Sequence, residues 1–156
     1  MRLLLWACVL LVAALIFAFS AQDGQASSET SDRVVRVVVR VTHPEFNTLP
    51  AARQRSLWNS ISFYVRKSAH FLEYTALGFF LHLLTRSMNW RPAGLWALLS
   101  GTLYAATDEL HQYLSGARSG MWQDVALDSA GVLFGALAAL ALLALAVTLS
   151  RRKATS

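Results

Sequence analysis

Long apolar runs alternate with polar stretches along this chain. A helix needs about 20 mostly apolar residues to cross the hydrocarbon core of a bilayer, so each long run is a candidate membrane span. The candidates cover residues 3–20, 68–85, 93–113 and 125–150. The pattern predicts an all-α membrane protein, a bundle of four transmembrane helices that forms a single domain over residues 1–156.

The first two runs differ from ordinary spans. The first also fits a cleaved secretory signal, because Ala18 and Ser20 supply small residues near a cleavage point. We predict a retained helix instead. The second run is interrupted by His70, Glu73 and His82, so its insertion is expected to depend on packing against neighbouring helices.

A long polar loop over residues 21–67 separates the first two runs. Residues 22–31 are rich in Ser, Gln and acidic residues, which predicts irregular structure. Further along, Leu57, Trp58 and Ile61 recur at helical spacing and lead into the second span.

Within this loop, residues 31–40 combine arginines with valines. Arg33, Arg36 and Arg40 are spaced by three and four residues, so on a helix they share one face. With Ser31 as the N-cap, the segment is predicted to be an amphipathic helix lying on lipid headgroups. Two alternatives stay open: an edge strand, since valine favours strands, and a solvated charged face packed on the protein.

Composition supports a membrane rather than an aqueous setting. Of the 156 residues, 55% are hydrophobic and 15% charged, and a soluble domain of this size could not hide that much apolar surface. The net charge of +5 could indicate nucleic-acid binding. The arginines lie beside apolar runs, however, so membrane lipids are the predicted partner and nucleic acid is not. Cys8 is the one cysteine, which excludes a disulfide within the chain.

Basic residues near the span ends predict the orientation, because they favour the cytoplasmic side. Arg2, the turn over 86–91 and the segment 151–153 all fall on one side of a four-span bundle. Both termini are therefore predicted to be cytoplasmic and the long loop extracytoplasmic. Arg66 and Lys67, beside the second span, argue for the opposite orientation.

Polar residues concentrate at one end of the last three spans. Successive spans are antiparallel, so the start of the second, the end of the third and the start of the fourth lie in the same leaflet, here the outer one. The predicted functional cluster comprises Lys67, His70, Glu73, Tyr74, Asp108, Glu109, His111, Gln112, Arg118, Asp124 and Asp128. Gly131 and Gly135, four residues apart, are expected to draw the fourth span against the second or third.

Such a cluster needs compensation, because each ionised residue near the bilayer centre costs about 2.5–3.5 kcal/mol. Its members must pair with one another, reach water or bind a ligand. In the structural alternative, Lys67 and Arg118 neutralise the acids and lock the bundle. His82 falls in the opposite leaflet and is expected to be an isolated packing or interfacial residue.

These residues resemble the VanZ-like family of bacterial membrane proteins, over roughly residues 17 to 140. The resemblance is carried by the runs 67–74 and 108–112 together with Gly116, Arg118, Asp124 and Gly131. Ala117 departs from the proline-glycine-arginine run of many members, so the loop is expected to be shaped differently. The family is named for a protein associated with teicoplanin resistance. The resemblance implies a multipass protein of the bacterial cell membrane and does not imply resistance for this chain.

The predicted function is that of a cell-envelope protein whose outer-leaflet polar pocket binds a lipid headgroup or a lipoglycopeptide. One alternative is an intramembrane enzyme that uses carboxylate and histidine acid–base or metal chemistry on an envelope lipid. A small transporter is another alternative. Helical Glu-x-x-His pairs hold metals in bundles, but His70 and Glu73 have the reverse order. No metal and no cofactor are therefore predicted. The ligand, any catalytic activity and the oligomeric state are left open.

Overall fold

The computed structural model describes residues 1–21, 24–114 and 122–155. All regular structure in these ranges is helical, which confirms the all-α prediction. Five α-helices follow one another, with a short 3-10 helix at Phe46–Thr48 between the second and third. They are α1 (Arg2–Ser20), α2 (Gly24–Thr42), α3 (Ala51–Ser87), α4 (Ala93–Leu114) and α5 (Trp122–Thr155).

The predicted long loop is largely helical. Residues 22–31 were expected to be irregular, but α2 already begins at Gly24, so Ser31 lies inside a helix and is not an N-cap. Local composition missed this start because the valines further along α2 pack on the protein and stabilise the whole helix. The second apolar run has no helix start of its own at residue 68 either, since α3 is continuous over its 37 residues.

Helix α2 is amphipathic, as predicted, and an edge strand is excluded there. Val35 and Val39 are buried, and the helix contacts α3. The arginine face, formed by Arg33, Arg36 and Arg40, is exposed. The structure therefore agrees with the alternative in which this segment packs on the protein, with its valine face inward and its charged face exposed.

Side-chain contacts fix the relative directions of the four longer apolar helices. Tyr104 of α4 donates a hydrogen bond to the carbonyl of Ala13 in α1, and Ser20 reaches the later residue Asp108, so these helices run the same way. Gly78 of α3 contacts Val132 of α5. Gly131 lies against Phe71 and Gly135 against Thr75, so α3 and α5 also run parallel. Contacts of α4 with α3 join late residues to early ones, so the four helices alternate in direction along the chain.

The packing of α5 against α3 depends on glycine. A Cβ on Gly131 would lie 2.6 Å from the carbonyl oxygen of Phe71, and one on Gly135 would meet the carbonyl of Thr75. Real Cβ atoms do not approach backbone this closely, so only glycine lets the two helices meet at these positions. The prediction that this glycine pair draws the fourth apolar run against a neighbour is confirmed, and the neighbour is α3.

Two of the helices are long and apolar enough to cross a membrane, α1 and residues Trp122–Lys153 of α5. Most of each apolar stretch is exposed in the folded chain. Helices α3 and α4 are long enough but not apolar enough to count as candidate spans, because polar and ionisable residues lower their hydropathy. Two apolar helices support a membrane protein, and the four-span arrangement remains a prediction.

A glycine substitution tests the close contact. Gly135→Ala is expected to lower the free energy of unfolding by about 1–3 kcal/mol, the usual cost of overpacking, even though alanine favours a helix by about 1 kcal/mol. Gly94→Ala is the matched control, because its Cβ would lie 3.7 Å from His82 Nδ1, an ordinary contact. Denaturant unfolding of the purified protein in detergent measures both. Equal stability of the two variants would contradict the packing described above.

Candidate functional site

The end of α4 places a carboxylate at the centre of a buried hydrogen-bond network. Asp108 is 3% exposed, and its Oδ2 atom accepts hydrogen bonds from three helices. The donors are Ser20 Oγ of α1 at 2.7 Å, Gln112 Nε2 at 3.1 Å and the Tyr74 hydroxyl of α3 at 3.4 Å. Gln112 also donates to Ser20 Oγ at 3.1 Å. A carboxylate that accepts several hydrogen bonds is stabilised where water is scarce.

A second group of ionisable residues lies where α3, α4 and α5 meet. His70, Glu109 and Asp128 each offer one ligand atom, and these atoms lie within 4.8 Å of one another. Asp128 is completely buried and Glu109 is 6% exposed, whereas His70 is half-buried. His70 Nδ1 lies 3.8 Å from Asp128 Oδ1. One imidazole nitrogen and two carboxylate oxygens at this spacing can hold a metal ion.

Lys67 and Asp124 form an ion pair one helical turn nearer the starts of α3 and α5. Lys67 Nζ donates to Asp124 Oδ1 and also lies 5.5 Å from the centre of the Phe63 ring. Both side chains are partly exposed. Lys67 thus neutralises one acid of the cluster, as the structural alternative has it. Arg118, its other predicted base, lies outside the described residues.

The remaining predicted residues lie at the edge of the cluster. Glu73 is half-buried on α3. His111 is half-buried on α4, where its ring packs against Phe17 of α1 with 5.0 Å between ring centres. The structure thus brings residues from all three predicted groups to one end of the bundle. His82 is buried near Gly94 on α4, away from them, as expected.

A groove of about 350 Å³ runs along the surface beside the ion pair. Its walls are mostly apolar, and Lys67 contributes the charge. The lining residues are Tyr64, Lys67, Ser68, Phe71, Leu72 and Leu127. His70, of the buried group, lies directly before the lining residue Phe71 in the sequence.

Ser20 was not among the predicted site residues, although it is buried and bonded to Asp108. In the sequence it is a small residue at the end of an apolar run, which fits a cleavage point equally well. Only its position beside α4 shows what its hydroxyl does. Ile16 of the same helix is also fully buried, so α1 packs as part of the bundle.

Removal of this hydroxyl tests whether α1 is held by the network. Ser20→Ala is expected to lower the free energy of unfolding by about 1.5–3 kcal/mol, the range for a hydrogen bond to a charged group. Ser100→Ala is the control, because Ser100 Oγ bonds only to carbonyls of its own helix. Unfolding in detergent measures both variants. If the two variants lose the same stability, the Ser20 contact does not hold α1 in place.

Comparison with known proteins identifies the family of the chain. A family model described as VanZ/LLP1 matches residues 5–145. No curated protein and no solved structure matches the chain. The matched range covers α2, α3 and α4 completely and most of α1 and α5, including every described residue of the cluster. The chain therefore belongs to the VanZ/LLP1 family.

Proposed function

We propose that this VanZ-family protein crosses the bacterial cell membrane four times and binds a lipid headgroup at the polar end of its bundle. The observation that carries the proposal is the groove beside Lys67. Its apolar wall, formed by Phe71, Leu72 and Leu127, suits an acyl chain, and its ammonium group suits an anionic headgroup. A groove that is apolar along its length and charged at one place matches an amphiphile.

The buried carboxylates behind the groove supply the second argument. Asp108, Glu109 and Asp128 are all nearly inaccessible, and burying charge is costly unless it is paired or bound. Hydrogen bonds compensate Asp108, but a structural role accounts less well for several acids from two helices beside a histidine. A headgroup with hydroxyl or amine donors would supply partners for the oxygens of Asp128, which have none among the described residues.

The faces of α4 explain how a helix of low mean hydropathy can still span a membrane. Its polar residues Asp108, Glu109 and Gln112 are buried in the bundle. The opposite face is exposed and apolar, with Leu99 52% and Leu103 67% exposed. Lipid would therefore meet leucine and not the polar cluster. Helix α3 contacts all four other helices, and within its apolar run His82 and Thr85 are buried while His70 and Glu73 are half-buried.

Cysteine labelling tests the number of spans. Thr48→Cys and Trp90→Cys are introduced separately in a Cys8→Ser background and treated with a membrane-impermeant maleimide on intact cells. Four spans with cytoplasmic termini predict that position 48 reacts from outside and that position 90 reacts only after permeabilisation. If only α1 and α5 crossed, both positions would react from outside. If position 90 alone reacts, the orientation is reversed.

Filling the groove tests lipid binding. Leu127→Trp is expected to weaken the binding of a fluorescent phosphatidylglycerol about 10-fold or more, because the indole occupies the space of the acyl chain. That loss corresponds to about 1.4 kcal/mol. Fluorescence anisotropy of the purified protein in detergent gives the affinity.

Leu133→Trp is the matched control, since Leu133 is exposed on α5 and does not line the groove. Its affinity should equal that of the parent protein. Equal affinities for all three proteins would remove the groove as the binding site, and no saturable binding to the parent would remove the proposal.

A further inference from the structure

We propose that His70, Glu109 and Asp128 bind one divalent transition-metal ion, and that this ion takes a phosphate oxygen of the lipid headgroup as a further ligand. The second half of the inference rests on the proposed function, and the first half does not. The sequence predicts no metal because His70 and Glu73 have the reverse of the usual order, whereas the two acids of this site come from α4 and α5.

Asp128 gives the strongest reason for a bound cation. Its side chain is 1% exposed, and neither carboxylate oxygen has a hydrogen-bond partner among the described residues. A buried, unpaired carboxylate is among the most costly groups in a protein. The nearest basic atom is His70 Nδ1, which at 3.8 Å from Oδ1 is beyond hydrogen-bond distance. A cation bound here would give the Asp128 carboxylate the partner that it lacks among the described residues.

The geometry fits an ion of ordinary size. Tetrahedral ligands about 2.1 Å from a metal lie about 3.4 Å from one another. The His70–Asp128 separation of 3.8 Å is close to that value, and the full set spans 4.8 Å at most. Small side-chain rotations would bring the three ligand atoms to this spacing. The three ligands come from three helices, so the bundle and not a mobile loop sets their spacing.

The donor set selects the class of metal. An imidazole nitrogen favours Zn²⁺ and its neighbours among the transition metals, whereas Mg²⁺ and Ca²⁺ prefer oxygen ligands alone. Three protein ligands leave at least one coordination position open, as in catalytic zinc sites. A phosphate oxygen is a suitable ligand for that position, and the two carboxylates would leave the bound ion without net charge.

Metal titration of the full-length protein tests the site. The protein, purified in detergent and stripped with EDTA, is titrated with Co²⁺ and then with Zn²⁺. We expect one equivalent of Co²⁺ to bind with a visible absorption spectrum of low-symmetry coordination, and Zn²⁺ to abolish that spectrum. Asp128→Asn and His70→Gln should each weaken Zn²⁺ binding at least about 10-fold. The Co²⁺ spectrum of the parent protein keeps the test valid if a variant does not fold.

Asp124→Asn is the matched control, because Asp124 lies one turn from Asp128 on α5 and pairs with Lys67. It should bind Zn²⁺ like the parent. No stoichiometric binding by the parent, or equal loss in the Asp124 and Asp128 variants, would overturn the metal site.

Lipid binding is then measured with EDTA and with Zn²⁺. Tighter phosphatidylglycerol binding with Zn²⁺ supports the shared site, and binding that does not change while Zn²⁺ binds overturns the link to the headgroup. Lipid binding by a protein that binds no metal would overturn this inference and leave the proposed function intact.

Discussion

The close approach of α5 to α3 is the constraint on which the rest of the structure depends. Gly131 and Gly135 lie against the backbone of α3, and Gly78 of α3 receives Val132 in return. These contacts fix both the distance between the helices and their register, since a shift along either axis would drive side chains into backbone. The register in turn sets Asp124 opposite Lys67 and Asp128 opposite His70. Small residues in the middle of the bundle thereby position the charges at its end.

The interior of the bundle contains polar and ionisable side chains beside its apolar core. Leucines and phenylalanines cover much of the outside, whereas a tyrosine, two aspartates and a glutamine are among the best-buried side chains. A polar interior is stabilised where its groups bond to one another, as those around Asp108 Oδ2 do, although Asp108 Oδ1 has no partner among the described residues. Around Asp128 they do not. Asp108 Oδ2 has three donors, whereas neither oxygen of Asp128 has one and the His70 imidazole stays 3.8 Å away, and this difference marks Asp128 as the candidate ligand.

The proposals about lipid and metal concern the same end of the molecule but different atoms. The groove presents Lys67 and an apolar wall at the surface. The group of His70, Glu109 and Asp128 is nearly closed to solvent. A headgroup held at the surface would therefore contact the inner residues through a phosphate or through an ion. Ser20 adds α1 to this end of the bundle, so the network around Asp108 joins the first helix to α3 and α4.

The sequence by itself determined the helical nature of the chain, the helical face of the arginines in α2, the glycine pair of α5 and the polar end of the bundle. Each of these follows from residue type and spacing along one helix. Spacing along one helix does not give its rotation against a neighbour, so the structure alone decided that α3 receives the glycines. For the same reason only the structure showed that Ser20 binds Asp108, that Lys67 pairs with Asp124, and that Glu109 joins His70 and Asp128. The helical start of α2 escaped prediction because tertiary packing stabilises a segment whose local composition favours a loop.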